Sequence, residues 1–106
     1  MTSKKSASSK RAPLPRRSDY TKAFAKDWES LSRSGRYDMH RLMEAMLLLI
    51  ANNAPLPPEW LDHALKVKWA DHRECHVGGD FLLSYQCDAS LVVFVRSGTH
   101  SDLFED

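Results

Sequence analysis

The spacing of the apolar residues changes from a helical repeat to a strand repeat along this chain. In the first half, apolar side chains recur at steps of four, four and three residues, which predicts one face of a helix. They are Tyr20, Phe24, Trp28 and Leu31. Ser18 is a suitable N-cap for this helix, and Gly35 is a suitable residue at which it ends. A first helix is therefore expected between these two residues.

A second helix is predicted from about Asp38 to Asn52-Asn53. Its apolar residues keep the spacing of a helix that faces a core; they are Met39, Leu42, Met43, Met46, Leu49 and Ile50. Three prolines then prevent the helix from continuing; they are Pro55, Pro57 and Pro58. Because the connection between the two helices is short, we expect them to pack as an antiparallel hairpin.

From Trp69 onward the pattern becomes that of strands, predicted at residues 69–77, 80–86 and 91–96. Gly78-Gly79 suits a tight turn between the first two strands. Residues 12–17 suit an edge strand or an extended lead-in, and a short segment, Thr99–Phe104, follows Gly98. This order predicts an α+β fold, a small antiparallel sheet with the two-helix hairpin packed on one face.

Basic residues are concentrated near the N-terminus. The first 17 positions hold six Lys and Arg residues and no acid, whereas the rest of the chain holds nine basic and 14 acidic residues. We expect residues 1–11 to form a disordered basic tail and residues 12–106 to form one domain. The tail has two interpretations, a solvated leader or a segment that follows a nucleic-acid backbone.

The chain has neither an apolar run long enough to span a membrane nor the apolar segment of a secretory signal. Its two cysteines, Cys75 and Cys87, are too few for a disulfide framework. A cytoplasmic, reduced protein is therefore expected. A zinc site of Cys75, His76, Cys87 and His100 is conceivable, but there is no CxxC motif, so we expect no metal and no cofactor.

Five polar residues of the C-terminal third are suited to proton transfer around a phosphate; they are His63, His76, Asp80, Arg96 and His100. Cleavage of RNA by its own 2′-hydroxyl needs one group to remove a proton and another to protonate the leaving oxygen. Histidine suits both tasks because its unperturbed pKa, about 6.5, lies near working pH. Arginine can bridge two phosphate oxygens, and Phe81 and Phe104 can stack on bases. From the residues alone, an acid–base site is predicted.

The ordered strings around these residues resemble the YafQ family of bacterial type II toxins, within the RelE-like superfamily of ribosome-dependent mRNA endonucleases. The strings are His63-Ala-Leu, Trp69, Arg73-Glu-Cys-His76-Val, Asp80-Phe-Leu-Leu-Ser-Tyr85 and Arg96-Ser-Gly-Thr-His100-Ser-Asp-Leu-Phe104. The resemblance spans about residues 18–106, and the closing string is its most specific part.

The resemblance implies a RelE-like fold and a toxin that cleaves mRNA in the ribosomal A site by metal-independent acid–base catalysis. It also implies silencing by a cognate antitoxin in a toxin–antitoxin heterotetramer. The antitoxin, and not the toxin, would bind operator DNA. The expected location is the bacterial cytoplasm, with the ribosome and mRNA as further partners.

By the same resemblance, the active site consists of His63, His76, Asp80, Arg96, His100 and Phe104. His100 or His63 would take the 2′-hydroxyl proton, and the other histidines would supply or position the proton for the leaving group. Arg96 would stabilise phosphorane charge. Asp80 would orient a histidine, and Phe104 would hold a base or the loop of His100. We also predict that Lys66, Lys68, Arg73 and Phe81 contact RNA.

Family members commonly have glycine where this chain has Val67 and Asp71. Glycine permits positive φ, and these positions lie in the loop that follows His63. Two other hypotheses stay open, of which the altered loop motivates the first. One is a catalytically weakened homologue that acts mainly as an antitoxin-binding or regulatory protein, and the other is a non-catalytic RNA-binding module.

Overall fold

The computed structural model describes residues 14–104, so the predicted tail, residues 1–11, lies outside the described part of the chain. The strands β1 to β5 are Arg17–Tyr20, His63–Ala64, Arg73–Gly78, Phe81–Cys87 and Leu91–Thr99. The helices α1 to α3 are Lys22–Ser34, Met39–Ala51 and His100–Phe104, with short 3-10 turns at Pro58–Trp60 and Val67–Trp69. These elements confirm the predicted α+β class.

The strands form one five-stranded sheet in the order β1-β5-β4-β3-β2. Strands β2 to β5 pair antiparallel, each with the next along the chain. The edge strand β1 pairs parallel with β5, which was not predicted. Of the expected segment 12–17, residues 12 and 13 lie outside the described part of the chain, and the strand begins only at Arg17. Pro15 has no N–H to donate to a ladder, and the first backbone bond to this edge of the sheet comes from Arg17 to Ser90.

Helix α1 begins after β1 and not at Ser18, which lies within that strand. Its N-cap is Thr21, whose Oγ1 accepts a hydrogen bond from the Phe24 N–H at 2.9 Å. The same hydroxyl donates to the carbonyl of Val95 at 2.7 Å, which ties the start of α1 to β5. The prediction of Ser18 as the cap was wrong because the chain is still paired with β5 at that point.

The other helix ends agree with the sequence. Helix α1 ends at Gly35, which has φ 70°, and α2 ends at Asn52, which has φ 56°. Asp38 caps α2 by accepting a hydrogen bond from the Arg41 N–H at 3.0 Å.

Among the described residues, no helix is long and apolar enough to cross a membrane.

Both long helices pack on the same face of the sheet and enclose the core. Helix α1 lies against β5, and α2 lies against β3 and β5. The helices contribute Phe24, Leu31, Leu42, Ala45 and Leu49 to this core, and alternate strand positions contribute Cys75, Val77, Phe81, Leu83, Tyr85, Val92 and Phe94. The predicted helical stripes therefore face the core, apart from Tyr20, which is exposed in β1, and Met43, which is exposed on α2.

The strand boundaries differ from the prediction at two places. Strand β3 begins at Arg73 and not at residue 69, because residues 67–69 form a 3-10 turn. Strand β5 continues through Gly98 to Thr99, and α3 follows it. A Cβ at Gly98 would lie only 3.1 Å from Asp102 Oδ2, so this glycine allows α3 to pack directly on β5.

Asp27 of α1 binds the part of β5 that β1 does not cover. The β1 ladder ends at Phe94, which leaves the following N–H groups of β5 at a sheet edge. Asp27 Oδ2 accepts the N–H of Ser97 at 3.0 Å and pairs with Arg96 Nε at 2.7 Å. The carboxylate therefore replaces a missing strand partner and joins α1 to the sheet.

We predict that Asp27→Asn lowers the free energy of unfolding by about 1–3 kcal/mol, because charge-assisted hydrogen bonds to a mostly buried group are lost. Urea denaturation measures this loss. Glu29→Gln on the same helix is the matched control, since Glu29 forms only an exposed pair with Arg33. The control should change stability by less than about 0.5 kcal/mol. Equal effects of the two variants would contradict the structural role of Asp27.

The loop between β2 and β3 contains a strained residue at a position predicted to favour glycine. Val67 has φ 57° and is 89% exposed. A side chain with a β-branch is disfavoured in this left-handed region, by about 1–2 kcal/mol for ordinary L-residues. Asp71, the other predicted position, is not among the positive-φ residues of the range 14–104.

We predict that Val67→Gly stabilises the protein by about 1 kcal/mol relative to Val67→Ala, because only glycine relieves the left-handed backbone. Both variants remove the same exposed apolar side chain, so their difference isolates the backbone term. The denaturation midpoints of the two variants measure this difference in stability. An alanine variant as stable as the glycine variant would mean that the loop carries no such strain.

Candidate active site

One row of side chains runs across four strands on the sheet face opposite α1 and α2. The register pairs His63 with Glu74, Glu74 with Ser84, and Ser84 with Arg96. Positions 74 and 76 alternate with the core positions 75 and 77, so Glu74 and His76 face away from the helices. The sheet therefore brings His63, Glu74 and His76 together.

The centre of this group is a buried carboxylate between two histidines. Glu74 is 5% exposed, and its Oε1 lies 3.3 Å from His63 Nε2. The rings of His63 and His76 are 6.1 Å apart, measured between their centroids. The second oxygen, Oε2, is buried and has no hydrogen-bond partner among the described residues. This carboxylate is the one acid of the site that is removed from water.

Backbone carbonyls orient both imidazole rings. His63 Nδ1 lies 2.7 Å from the carbonyl of Leu61, and His76 Nδ1 lies 3.2 Å from the carbonyl of Gly79. A carbonyl only accepts hydrogen bonds, so each Nδ1 is assigned the hydrogen. The Nε2 atom of each ring is then the nitrogen free to exchange a proton or to donate a lone pair.

A second group of site residues surrounds the start of α3. Asp80 Oδ1 accepts a hydrogen bond from the backbone N–H of His100 at 3.3 Å. Thr99 and Asp102 satisfy each other's backbone N–H groups at 3.2 and 3.1 Å, as in a capping box. Asp80 therefore positions His100 by binding the backbone N–H of His100.

An aromatic chain connects this helix to the loop between β2 and β3. The Phe104 ring lies 5.1 Å from the His100 ring and 5.7 Å from Trp69, and the contact with Trp69 is edge to face. Trp69 also contacts His72 at 5.3 Å. The packing of Trp69 therefore helps to position Phe104 and, through it, His100.

Arg96 is engaged by Asp27, and not by the acids near it in sequence. Its Nε and Nη2 lie 2.7 and 3.1 Å from the two Asp27 oxygens. Hydrogen bonding to Asp27 raises the pKa of Arg96, with burial acting in the opposite direction. Nη1 makes no bond to Asp27, so this side of the guanidinium group can bind a phosphate oxygen.

The four predicted RNA contacts occupy different places. Lys66 and Lys68 are exposed on the loop between β2 and β3. Arg73 lies at an alternate position, on the other face, and pairs with Asp62 at 3.1 Å. Phe81 is buried in the core, 4.8 Å from the ring of Tyr37. The position of Phe81 leaves its ring unable to stack on a base, and Arg73 does not share the surface of His76.

The conceivable zinc set is not assembled. Cys75 and His76 are neighbours on a strand and point to opposite faces. Burial raises the pKa of Cys75 to about 12, which disfavours the thiolate that a metal would bind. Within residues 14–104, the group whose ligand atoms lie within 4.8 Å of one another consists of His63, Glu74 and His76.

Sequence reasoning missed Glu74 and Asp27, and it assigned no role to Trp69. Glu74 had a signal, because it lies two positions before His76 and period-two alternation places both on one face. Asp27 had none, since its partners are about 70 residues away in sequence.

Comparisons with known proteins identify the family to which the chain is similar. The family model for the bacterial toxin of type II toxin–antitoxin systems, YafQ, matches residues 16–105. An mRNA interferase toxin YafQ of Escherichia coli BL21-DE3 is 40% identical over 86 residues, which cover 81% of this chain and 92% of that protein. A putative toxin YafQ of Haemophilus influenzae is 34% identical over 73 residues, which cover 68% of this chain and 72% of that protein.

Solved structures of bacterial toxins are also similar to this chain. The chain resembles a chain of the E. coli DinJ–YafQ complex with a TM-score of 0.75 and 39% identity, covering 84% of this chain and 98% of that one. It also resembles a metal-bound toxin from Helicobacter pylori with a TM-score of 0.75 and 36% identity, covering 84% and 99%. With a family match over most of its length and relatives above 30% identity, the chain belongs to the YafQ family of bacterial type II toxin–antitoxin toxins.

Proposed function

We propose that this protein is an mRNA interferase, an endoribonuclease that cleaves mRNA in the ribosomal A site. The observation that carries the proposal is the pair of histidines His63 and His76 on one sheet face, each held by a backbone carbonyl at Nδ1, with Nε2 of His63 beside the carboxylate of Glu74. The relatives named mRNA interferase toxin YafQ support the same activity.

Cleavage proceeds by attack of a 2′-oxygen on the adjacent phosphorus, with departure of the 5′-oxygen. A histidine, His100 or His63, takes the 2′-hydroxyl proton, and another histidine returns a proton to the leaving oxygen. Glu74 stabilises the imidazolium that forms when His63 takes a proton, since its Oε1 lies 3.3 Å from Nε2. Arg96 stabilises the negative charge of the phosphate through Nη1, the guanidinium nitrogen that Asp27 does not bind.

In this proposal, the site is completed by contacts to the bound RNA. Phe104 holds a base beside His100, and the exposed Lys66 and Lys68 contact phosphates. Placement of mRNA by the ribosome supplies the orientation that a small, exposed site does not provide by itself.

The proposed partners are a cognate antitoxin, the ribosome and mRNA in the bacterial cytoplasm. The E. coli relative is known in a DinJ–YafQ toxin–antitoxin complex. We propose a heterotetramer as the resting form, in which the antitoxin alone contacts operator DNA.

Primer extension on translated mRNA tests the activity. We expect new 5′ ends when the purified protein is added to a translating extract, and we expect His100→Ala to reduce their rate at least about 100-fold. His40→Ala is the matched control because His40 is an exposed residue of α2 outside the site. Growth arrest on induced expression is the second readout. RNA binding without new ends would favour a non-catalytic module, and antitoxin binding without growth arrest would favour a weakened homologue.

We predict that Trp69→Leu lowers kcat about 10–100-fold, because the edge-to-face contact that positions Phe104 and His100 is lost. Trp69→Phe should restore part of this loss, since it keeps an aromatic ring. KM should change little if Trp69 acts by positioning. Trp28→Leu is the control, because Trp28 packs on the helix-side core. Equal kcat values for the two leucine variants would contradict the positioning role.

A further inference from the structure

The shortest strand of the sheet carries the first histidine of the site. Strand β2 has two residues, His63 and Ala64, both exposed, and it lies at the edge of the sheet. Beyond it, the N–H of Leu65 donates to the carbonyl of His72 at 2.9 Å. A short, exposed edge strand opens easily because few contacts hold it. The position of His63 therefore depends on what anchors the chain immediately before it.

The residue before this strand is held by side chains from two interior strands. Asp62 Oδ1 accepts a hydrogen bond from the Tyr85 hydroxyl, and Oδ2 pairs with Arg73 Nη2 at 3.1 Å. Arg73 and Tyr85 lie opposite each other in the register of β3 and β4. The hydrogen bond to Asp62 raises the pKa of Arg73, and burial together with the same carboxylate raises the pKa of Tyr85. The Asp62 carboxylate therefore bridges two strands of the sheet.

Asp62 and His63 point to opposite faces of the sheet. Tyr85 is 1% exposed and belongs to the core below the helices, on the face that Asp62 reaches. His63 lies on the other face, where its Nε2 is 3.3 Å from Glu74 Oε1. Because successive residues of an extended chain alternate between faces, an anchor at Asp62 also fixes the direction of the His63 side chain. Rotation of β2 about its own axis would break both contacts of Asp62.

The backbone just before Asp62 is strained in a conformation that serves His63. Leu61 has φ 49° and ψ 42°, which are left-handed values, and it is 58% exposed, so core packing does not compensate for the strain. Its N–H donates to the Pro58 carbonyl at 3.0 Å, and its own carbonyl lies 2.7 Å from His63 Nδ1. Such strain persists where the surrounding contacts determine the conformation. The contacts of Asp62 hold the chain on the side that follows Leu61.

We propose that Asp62 is a positioning residue, which holds the His63 imidazole in its Nδ1–H form and keeps Nε2 beside Glu74 for proton exchange. Tyr85 and Arg73 fix the carboxylate from the core side of the sheet. The orientation of the ring stands independently of the activity. Its importance for cleavage rests on the proposed function, in which His63 exchanges or positions a proton.

Proton–nitrogen correlation spectra of the imidazole rings test the orientation in the full chain, recorded above the pKa of the histidines. We expect His63 of the native chain in the Nδ1–H form. In Asp62→Ala, His63 should move towards the Nε2–H form, because its carbonyl partner is released and Glu74 remains. His76 is the internal control, since its Nδ1 is held by the carbonyl of Gly79 on a different turn.

A series of variants tests the role in catalysis through cleavage kinetics. Tyr85→Phe removes one hydroxyl and keeps the core filled, so we expect kcat to fall about tenfold and KM to stay nearly unchanged. Asp62→Ala should lose more, and Asp62→Asn should restore part of that loss because its amide oxygen still accepts from Tyr85. Tyr20→Phe and Asp19→Asn are the matched controls, since both residues are exposed on β1 at the opposite edge of the sheet.

The outcomes separate the positioning role from the proposed activity. Native kcat in both Tyr85→Phe and Asp62→Ala, or an unchanged Nδ1–H signal of His63 in Asp62→Ala, would overturn the role of Asp62. Equal shifts of the His63 and His76 signals would also overturn it, because they would indicate a general loosening of the sheet. If His63 alone shifts in Asp62→Ala but the native chain produces no new mRNA ends, the anchor is supported and the proposed ribonuclease is contradicted.

Discussion

The register of β3 between β2 and β4 is the constraint on which both the core and the candidate site depend. In β3, Cys75 and Val77 enter the core below α1 and α2, while Glu74 and His76 face the other side. A shift by one residue would bury His76 and expose Cys75, so the apolar core fixes the position of the polar site. The same pairing places His63 opposite Glu74.

Two carboxylates, Asp27 and Glu74, act on the site in different ways. Asp27 binds Arg96 and the N–H of Ser97, and so couples the guanidinium to α1. Part of the positive charge that a phosphate would meet is thereby neutralised before substrate binds. Glu74 is the opposite case, a buried acid with one unpartnered oxygen. The first interaction stabilises the fold, whereas burial of a carboxylate oxygen that lacks a partner is unfavourable.

The loop between β2 and β3 connects backbone strain to the aromatic residues of the site. Val67 adopts a left-handed conformation, and Trp69, two residues later, packs on Phe104. Glycine is common in the family at the positions of Val67 and Asp71, and the structure shows the positive φ that a glycine would relieve at Val67 but not at Asp71. The resemblance did not anticipate that the tryptophan reaches α3, since no local pattern encodes that contact.

The sequence by itself determined the α+β class, the ends of α1 and α2 at Gly35 and Asn52, and the residues from which a site could be assembled. These follow from local rules, namely apolar spacing, capping and turn residues. Only the tertiary structure decided that β1 pairs parallel with β5, that Phe81 is buried, that Arg96 pairs with Asp27 and that Glu74 lies between two histidines. Each of these depends on which distant segments meet, and that is set by packing of the whole core rather than by any short stretch of chain.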